Sequence, residues 1–361
     1  MNPERRRLSF ATGAVAASLA LPACASKTNL AVLTPLTAAS FSRAAQRGVG
    51  MGLLRFGERS QADLDALLDV GAGHVRMFIE LEPLPSGTAF AWPTAQIDSL
   101  LRNAAELQAR GLYMVPTVIA PTKETDKIWA TPSLENSLVE FWAALATRLR
   151  GQNVFAAFDL VNEPVPPGFT YGHRQERWLD LAARMVEAVQ KADATRVCII
   201  ESAPNSIPQS FDNLRPLPYP RLVYSFHSYM PMSFTHQGVM PEYMTPKRYP
   251  EPLPGGNTSA SELASSLAEV IAFTRRYELP VYVGEFSAPR WAPAQSAAAY
   301  VADSIAHFQR NGWSWAYHEF RAWHGWDAEM ASASRDPGIR TRQAPVRRVL
   351  QAGLLQRALG S

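Results

Sequence analysis

Eight short apolar runs, each followed by a stretch of helical or loop character, constrain this 361-residue chain more than any other feature. The runs cover 48–54, 74–79, 112–118, 155–161, 196–201, 222–226, 280–284 and 313–317. Most are apolar on successive residues. A strand with one wet face alternates apolar and polar side chains, whereas a strand covered on both faces reads as a continuous apolar run. Helical spacing follows at 62–70, 138–149, 179–189, 260–274 and 297–308, and Val346, Val349, Leu350 and Leu354 mark a last amphipathic helix. The proline-rich stretch 204–220 is the weakest helical candidate. Eight strand–helix alternations in about 310 residues predict an α/β fold, a single-domain (β/α)8 TIM barrel. A doubly wound sheet is the rival. Gly48-Val49-Gly50-Met51-Gly52 in the first run is glycine-rich but lacks the GxGxxG spacing of a phosphate loop.

Composition removes several classes of function. Apolar residues are 47% and charged residues 19%, enough apolar material for a large core and incompatible with a disordered chain. Lys plus Arg is 35 and Asp plus Glu is 32, and the one tight basic run is Arg5-Arg6-Arg7. No basic stripe for a nucleic acid exists. Two cysteines, Cys24 and Cys198, exclude a disulfide framework and a multi-cysteine metal cluster. The seven histidines are scattered, with no HExxH pattern, so no metal and no cofactor is expected.

Residues 1–23 read as an export signal. Arg5-Arg6-Arg7-Leu8-Ser9-Phe10 is a charged start, and 11–21 is an uncharged apolar stretch. That is too short for a bilayer span, which needs ~20 residues. The paired arginines resemble a twin-arginine signal. Leu21-Pro22-Ala23-Cys24 resembles a bacterial lipobox with Cys24 as the lipidated residue, although the proline leaves ordinary cleavage nearby as the alternative. Removing 1–23 takes away three Arg and one Glu, so the net charge falls from +3 to +1. Residues 24–45 read as a tether and 46–361 as the catalytic barrel. Cys198, inside Val197-Cys198-Ile199-Ile200, reads as a small core residue. The expected location is exported: periplasm-facing, outer-membrane lipoprotein or secreted. Contact with a membrane is expected only through the lipid at Cys24, and a monomer is expected.

Barrel active sites are assembled at the C-terminal ends of the strands. The fourth run ends Asp159-Leu160-Val161-Asn162-Glu163-Pro164, and the seventh ends Val283-Gly284-Glu285-Phe286. Each delivers a carboxylate to the barrel mouth. Two carboxylates facing one another, ~5–5.5 Å apart, are what retaining glycoside hydrolysis requires: one protonates the leaving oxygen and the other attacks the anomeric carbon.

Asn162-Glu163-Pro164 and Gly284-Glu285-Phe286 resemble glycoside hydrolase family 5, a retaining family that includes endoglucanases and mannanases. The resemblance runs from Arg47-Gly48-Val49-Gly50 to the aromatic run after the eighth strand. It implies that Glu163 is the general acid/base and Glu285 the nucleophile. Ionised Glu285 would then help its neighbour hold a proton. Asn162 matches the side chain that bonds the sugar 2-hydroxyl. Arg76, in His74-Val75-Arg76-Met77-Phe78, would be buried and must be paired. It matches the arginine that keeps the nucleophile ionised. His227 and Tyr229, two residues apart on one strand face, match the family His-x-Tyr.

Two departures stand out. The third strand usually delivers a histidine, and here Ile119 or Ala120 stands there. The eighth usually ends in a tryptophan beneath the sugar. In Trp313-Ser314-Trp315-Ala316-Tyr317-His318-Glu319, either Trp315 fills that place or His318 replaces it, depending on register. Trp129, Trp291, Trp323 and Trp326 are candidate sugar platforms. The long loop 230–259, rich in Met, Tyr and Pro, is expected to wall the cleft. The resemblance thus implies a retaining glycosidase acting on a β-linked glucan or mannan-type polysaccharide or oligosaccharide, with endo-β-1,4-glucanase as the default. The alternatives are a carbohydrate-binding lipoprotein without catalysis and an envelope transglycosylase.

Overall fold

A computed structural model describes residues 32–42, 46–120, 128–166, 175–293, 295–331 and 334–356. The signal, Cys24 and most of the expected tether lie outside the described residues. All eight apolar runs supply barrel strands: β1 (Arg47–Leu53), β2 (His74–Glu80), β3 (Tyr113–Ile119), β4 (Phe158–Asp159), β5 (Cys198–Glu201), β6 (Leu222–Ser228), β7 (Val281–Phe286) and β8 (Ser314–Tyr317). They pair in parallel and in sequence order, and β1 closes on β8 through the register Gly48 with Ala316. The fold is therefore a (β/α)8 barrel in one domain. Continuous apolar runs make sense here, because one face of each strand meets the barrel interior and the other meets helices.

Ten helices are described: α1 (Ala38–Ser42), α2 (Gln61–Val70), α3 (Thr94–Ala109), α4 (Pro132–Arg148), α5 (Glu176–Ala192), α6 (Met232–Thr235), α7 (Ser259–Ser266), α8 (Ala268–Tyr277), α9 (Ser296–Arg310) and α10 (Pro345–Leu355). The sequence reading passed over α3, whose buried stripe Ile97, Leu100, Ala104 and Leu107 is interrupted by many polar residues. The single helix expected at 260–274 is two, broken at Leu267. After β5 there is a short 3-10 turn, Pro208–Asn213, in place of a full helix. Proline lacks the N–H that an α-helical ladder needs.

One boundary differs from the expectation. Residues 32–42, assigned to the tether, pack against the N-terminal end of the barrel. Phe41 is fully buried among Val115, Ile199, Val223, Tyr282 and Ala316. Its ring meets His74 and Tyr282 at centroid distances of 5.8 and 5.2 Å. The Ser42 hydroxyl bonds the β7 carbonyl of Val281 at 3.0 Å. This plug closes the end opposite the strand C-termini, so the mouth at those C-termini is the open one. Cys198 lies buried in β5, and burial pushes its thiol up to about 12.

Candidate active site

A cleft of about 940 Å³ opens at the C-terminal ends of the strands. Asn162 and Glu163 follow β4, His227 is in β6 and Tyr229 just beyond it, Glu285 is in β7, and His318 follows β8. All six line the cleft. Arg76, in β2, lies beneath them and is fully buried. One carboxylate oxygen of Glu163, one of Glu285 and a ring nitrogen of His227 lie within 4.8 Å of one another. The two carboxylates thus face one another closely across the cleft mouth.

The two glutamates have different surroundings. The Glu285 side chain is 8% exposed and that of Glu163 38%. Arg76 Nη1 donates to Glu285 Oε1 at 2.7 Å, and the Tyr229 hydroxyl donates to Oε2 at 2.9 Å. His318 Nδ1 stands 3.7 Å from that Oε2. Burial alone would raise the Glu285 carboxyl. His318, His227, Arg76 and the bond from Tyr229 outweigh it and hold the carboxyl well below the usual range. Glu163 Oε1 instead meets His227 Nδ1 at 2.8 Å. Burial opposes a charge on His227, but the nearby carboxylates of Glu201 and Glu285 and the bond to Glu163 raise its pKa well above an ordinary histidine's. A side chain at Gly284 would put its first carbon 2.8 Å from His227 Nε2, so this strand position has to be glycine.

Arg76 offers each of its nitrogens to a different partner. Nε donates to Asp159 Oδ2 at 2.8 Å, and Nη2 donates to Asn162 Oδ1 at 2.9 Å and to Glu201 Oε1 at 2.7 Å. A buried guanidinium is tolerable only with such complete pairing. The bond to Asn162 Oδ1 fixes the amide so that its NH2 is the group left for a ligand in the cleft.

The sequence-chosen aromatics divide. His318 occupies the cleft, and Trp315 does not: it is fully buried against Phe286 and the helix layer. Adjacent strand residues point to opposite faces, and the register of β8 sends Trp315 outward. Trp129 is also excluded from the cleft, packed edge-on to Trp178 under Arg177. Trp291 backs the cleft without lining it. Its indole N–H donates to the Gln237 carbonyl at 2.8 Å, and its ring meets Trp323 edge-on at 5.9 Å. Trp323 and Trp326 do line the cleft, and Trp326 stacks on Tyr229 at 5.9 Å. Ile119 stands at the end of β3, and Met230, Met232, His236 and Met240 from the long loop form part of the wall.

Three buried acids at the site were missed by the sequence reading: Asp159, Glu201 and Glu319. Glu201 had a signal, because Cys198-Ile199-Ile200-Glu201 is an apolar run ending in a carboxylate, like the fourth and seventh. Glu319 lies beside His318 and accepts from the Trp323 backbone N–H at 2.9 Å.

The model of the family described as Cellulase (glycosyl hydrolase family 5) matches residues 53–324. The chain belongs to glycosyl hydrolase family 5. Among curated relatives, Endoglucanase C of Acetivibrio thermocellus is 25% identical over 199 residues, 49% of this chain and 52% of that protein. Mannan endo-1,4-beta-mannosidase of Cellvibrio japonicus is 24% identical over 280 residues, 75% of this chain and 55% of that protein. The chain thus spans about half the length of these family relatives. The solved endoglucanase Cel5A from Thermotoga maritima superposes with a TM-score of 0.71 at 18% identity, covering 89% of this chain and 100% of that one. At that identity the likeness speaks for the fold.

Proposed function

We propose that this family 5 chain is a retaining glycoside hydrolase acting on β-linked glucan or mannan-type polysaccharide, with endo-β-1,4-glucanase as the first activity to assay. The observation that carries the reading is the close pair Glu163 and Glu285 with unlike partners. Glu285, bonded by Arg76 and Tyr229, attacks the anomeric carbon as a carboxylate. Glu163, reaching into the cleft, protonates the leaving oxygen, and the glycosyl–Glu285 ester forms. Glu163 then takes a proton from water, which displaces Glu285 with a second inversion. The Asn162 amide is placed for the sugar 2-hydroxyl. His318 takes the place of a stacking tryptophan and offers a smaller ring face, so Trp323 and Trp326 are left as the main aromatic platforms.

The relatives named above support both glucan and mannan as substrates to test, since one is called an endoglucanase and another a mannan endo-mannosidase. A panel of β-1,4-glucan, β-1,3-glucan and β-mannan, followed by proton NMR of the first-formed anomer, tests the reading. The expected product has the β configuration. An α product would overturn the two-step mechanism, and no cleavage of any member would overturn the enzymatic reading.

For location we propose export with a lipid on Cys24, on the strength of the lipobox-like Leu21-Pro22-Ala23-Cys24. The wild type should fractionate with membranes and Cys24→Ser should release soluble protein. A wild type that is soluble and begins at another residue would sink this idea.

A further inference from the structure

Glu201 ends β5, is fully buried, and has no part in the two-glutamate chemistry. Its two oxygens nevertheless touch the whole acid side of the site. Oε1 accepts from Arg76 Nη2 at 2.7 Å and lies 3.4 Å from His227 Nε2. Oε2 accepts the backbone N–H of Glu163 at 2.7 Å and the hydroxyl of Ser206. The Glu201 backbone is itself fixed, because the Trp178 indole N–H donates to its carbonyl at 2.7 Å.

We propose that Glu201 is a positioning residue for the acid/base, holding the backbone of Glu163 and the ring of His227 in the arrangement that proton transfer to the leaving group needs. The proposal rests on the reading of Glu163 as acid/base. Glu163 has φ +47°, in the left-handed region that a residue with a Cβ avoids. Such a conformation persists only where the surroundings over-determine it. The Glu163 N–H bond to Glu201 Oε2 is one such determinant. Ser206 supplies a second route. Its hydroxyl bonds Glu201, and its carbonyl accepts the His227 backbone N–H at 2.6 Å. His227 therefore has a carboxylate on each side: Glu163 Oε1 is hydrogen-bonded to Nδ1, and Glu201 Oε1 lies 3.4 Å from Nε2 without closing a hydrogen bond. A carboxylate this near favours the charged form of the ring, and the Ser206 carbonyl fixes the His227 backbone.

The charges agree with this arrangement. Burial opposes ionisation of Glu201, but His227, Arg76 and the Ser206 bond prevail and bring its carboxyl down to about 2. Asp159 goes the other way: burial and the Glu201 charge push it well above the carboxylate range despite Arg76. Glu201 does not bond the Glu285 carboxylate, whose hydrogen bonds come from Arg76 and Tyr229.

Glu201 touches the acid/base directly and the nucleophile only through Arg76, so the dependence on leaving group separates help to the acid from help to the nucleophile or to folding. Aryl β-glycosides of graded leaving-group pKa would be assayed with wild type, Glu201→Gln and Glu163→Ala, with folding followed by circular dichroism. Glu201→Gln should lose roughly 100-fold in kcat/KM on poor leaving groups and only about 3-fold on a dinitrophenyl glycoside, which scarcely needs the proton. An equal loss on all leaving groups, or none, overturns the proposal. Should Glu201→Gln not fold, Ser206→Ala decides: it should show a smaller loss with the same leaving-group dependence, and a uniform loss or none would overturn the idea. Glu163→Ala keeps the two claims apart. If that variant shows no leaving-group dependence, the acid assignment fails. If it does and Glu201→Gln does not, only the role of Glu201 fails.

Discussion

Glu285→Ala loses at least ~10⁴-fold in turnover on every β-glycoside, about 5 kcal/mol of barrier, whatever the leaving group. Among the described residues the neighbouring acids are otherwise engaged, Glu319 by the Trp323 backbone N–H. Glu201 is buried beneath the site, and Glu163 is turned to His227. Azide should enter the space left by the Glu285 side chain and yield the α-glycosyl azide by a single inversion. Glu163→Ala behaves differently. A dinitrophenyl glycoside should still glycosylate Glu285 and then stall, because no base activates water, and azide should release a β-product after two inversions. Mass spectrometry of a fluorosugar-trapped wild type reads the nucleophile directly. A label on any residue but Glu285 would overturn the assignment.

Arg76→Lys should lower kcat roughly 100-fold, about 2.7 kcal/mol, with KM little changed. Lysine keeps the charge but is a point donor in place of a planar fork. It cannot reach Asp159, Glu285, Asn162 and Glu201 together, as Arg76 does. The pH profile should move as well. Glu285 is held ionised partly by Arg76, so weakening that contact raises its pKa. The acid limb of kcat/KM must then shift to higher pH, because the ionised form is the active one. Arg76→Met removes the guanidinium that Asp159, Glu201 and Glu285 share and should destabilise the barrel by about 3–5 kcal/mol, read by thermal melting. A folded Arg76→Lys with ordinary turnover and an unmoved acid limb would remove Arg76 from the site.

Much of this was legible in the chain. The eight runs determined the barrel because a strand buried on both faces has to be apolar throughout, and that requirement is local. Strand ends brought Glu163 and Glu285 to one mouth from the sequence, and the family resemblance added Asn162, His227 and Tyr229, all of which line the cleft. Arg76 in an apolar run demanded buried partners, and the structure provides Asp159, Asn162, Glu201 and Glu285 among them. Other features depended on packing that no local pattern records. Glu201 meets Glu163, Arg76 and His227, which are 38, 125 and 26 positions away in sequence. Trp315 and His318 sit in the same aromatic stretch. The register of β8 sends the tryptophan into the helix layer and leaves His318 in the cleft, a difference that composition does not contain. Trp129 likewise met Trp178 before it could meet a sugar. Phe41 looked like part of a polar tether until the barrel's N-terminal end gave it a hydrophobic socket to close. The sequence determined which groups reach the mouth, because burial and strand period act residue by residue. The tertiary structure decided which of them touch, because closure of eight strands converts distance along the chain into contact.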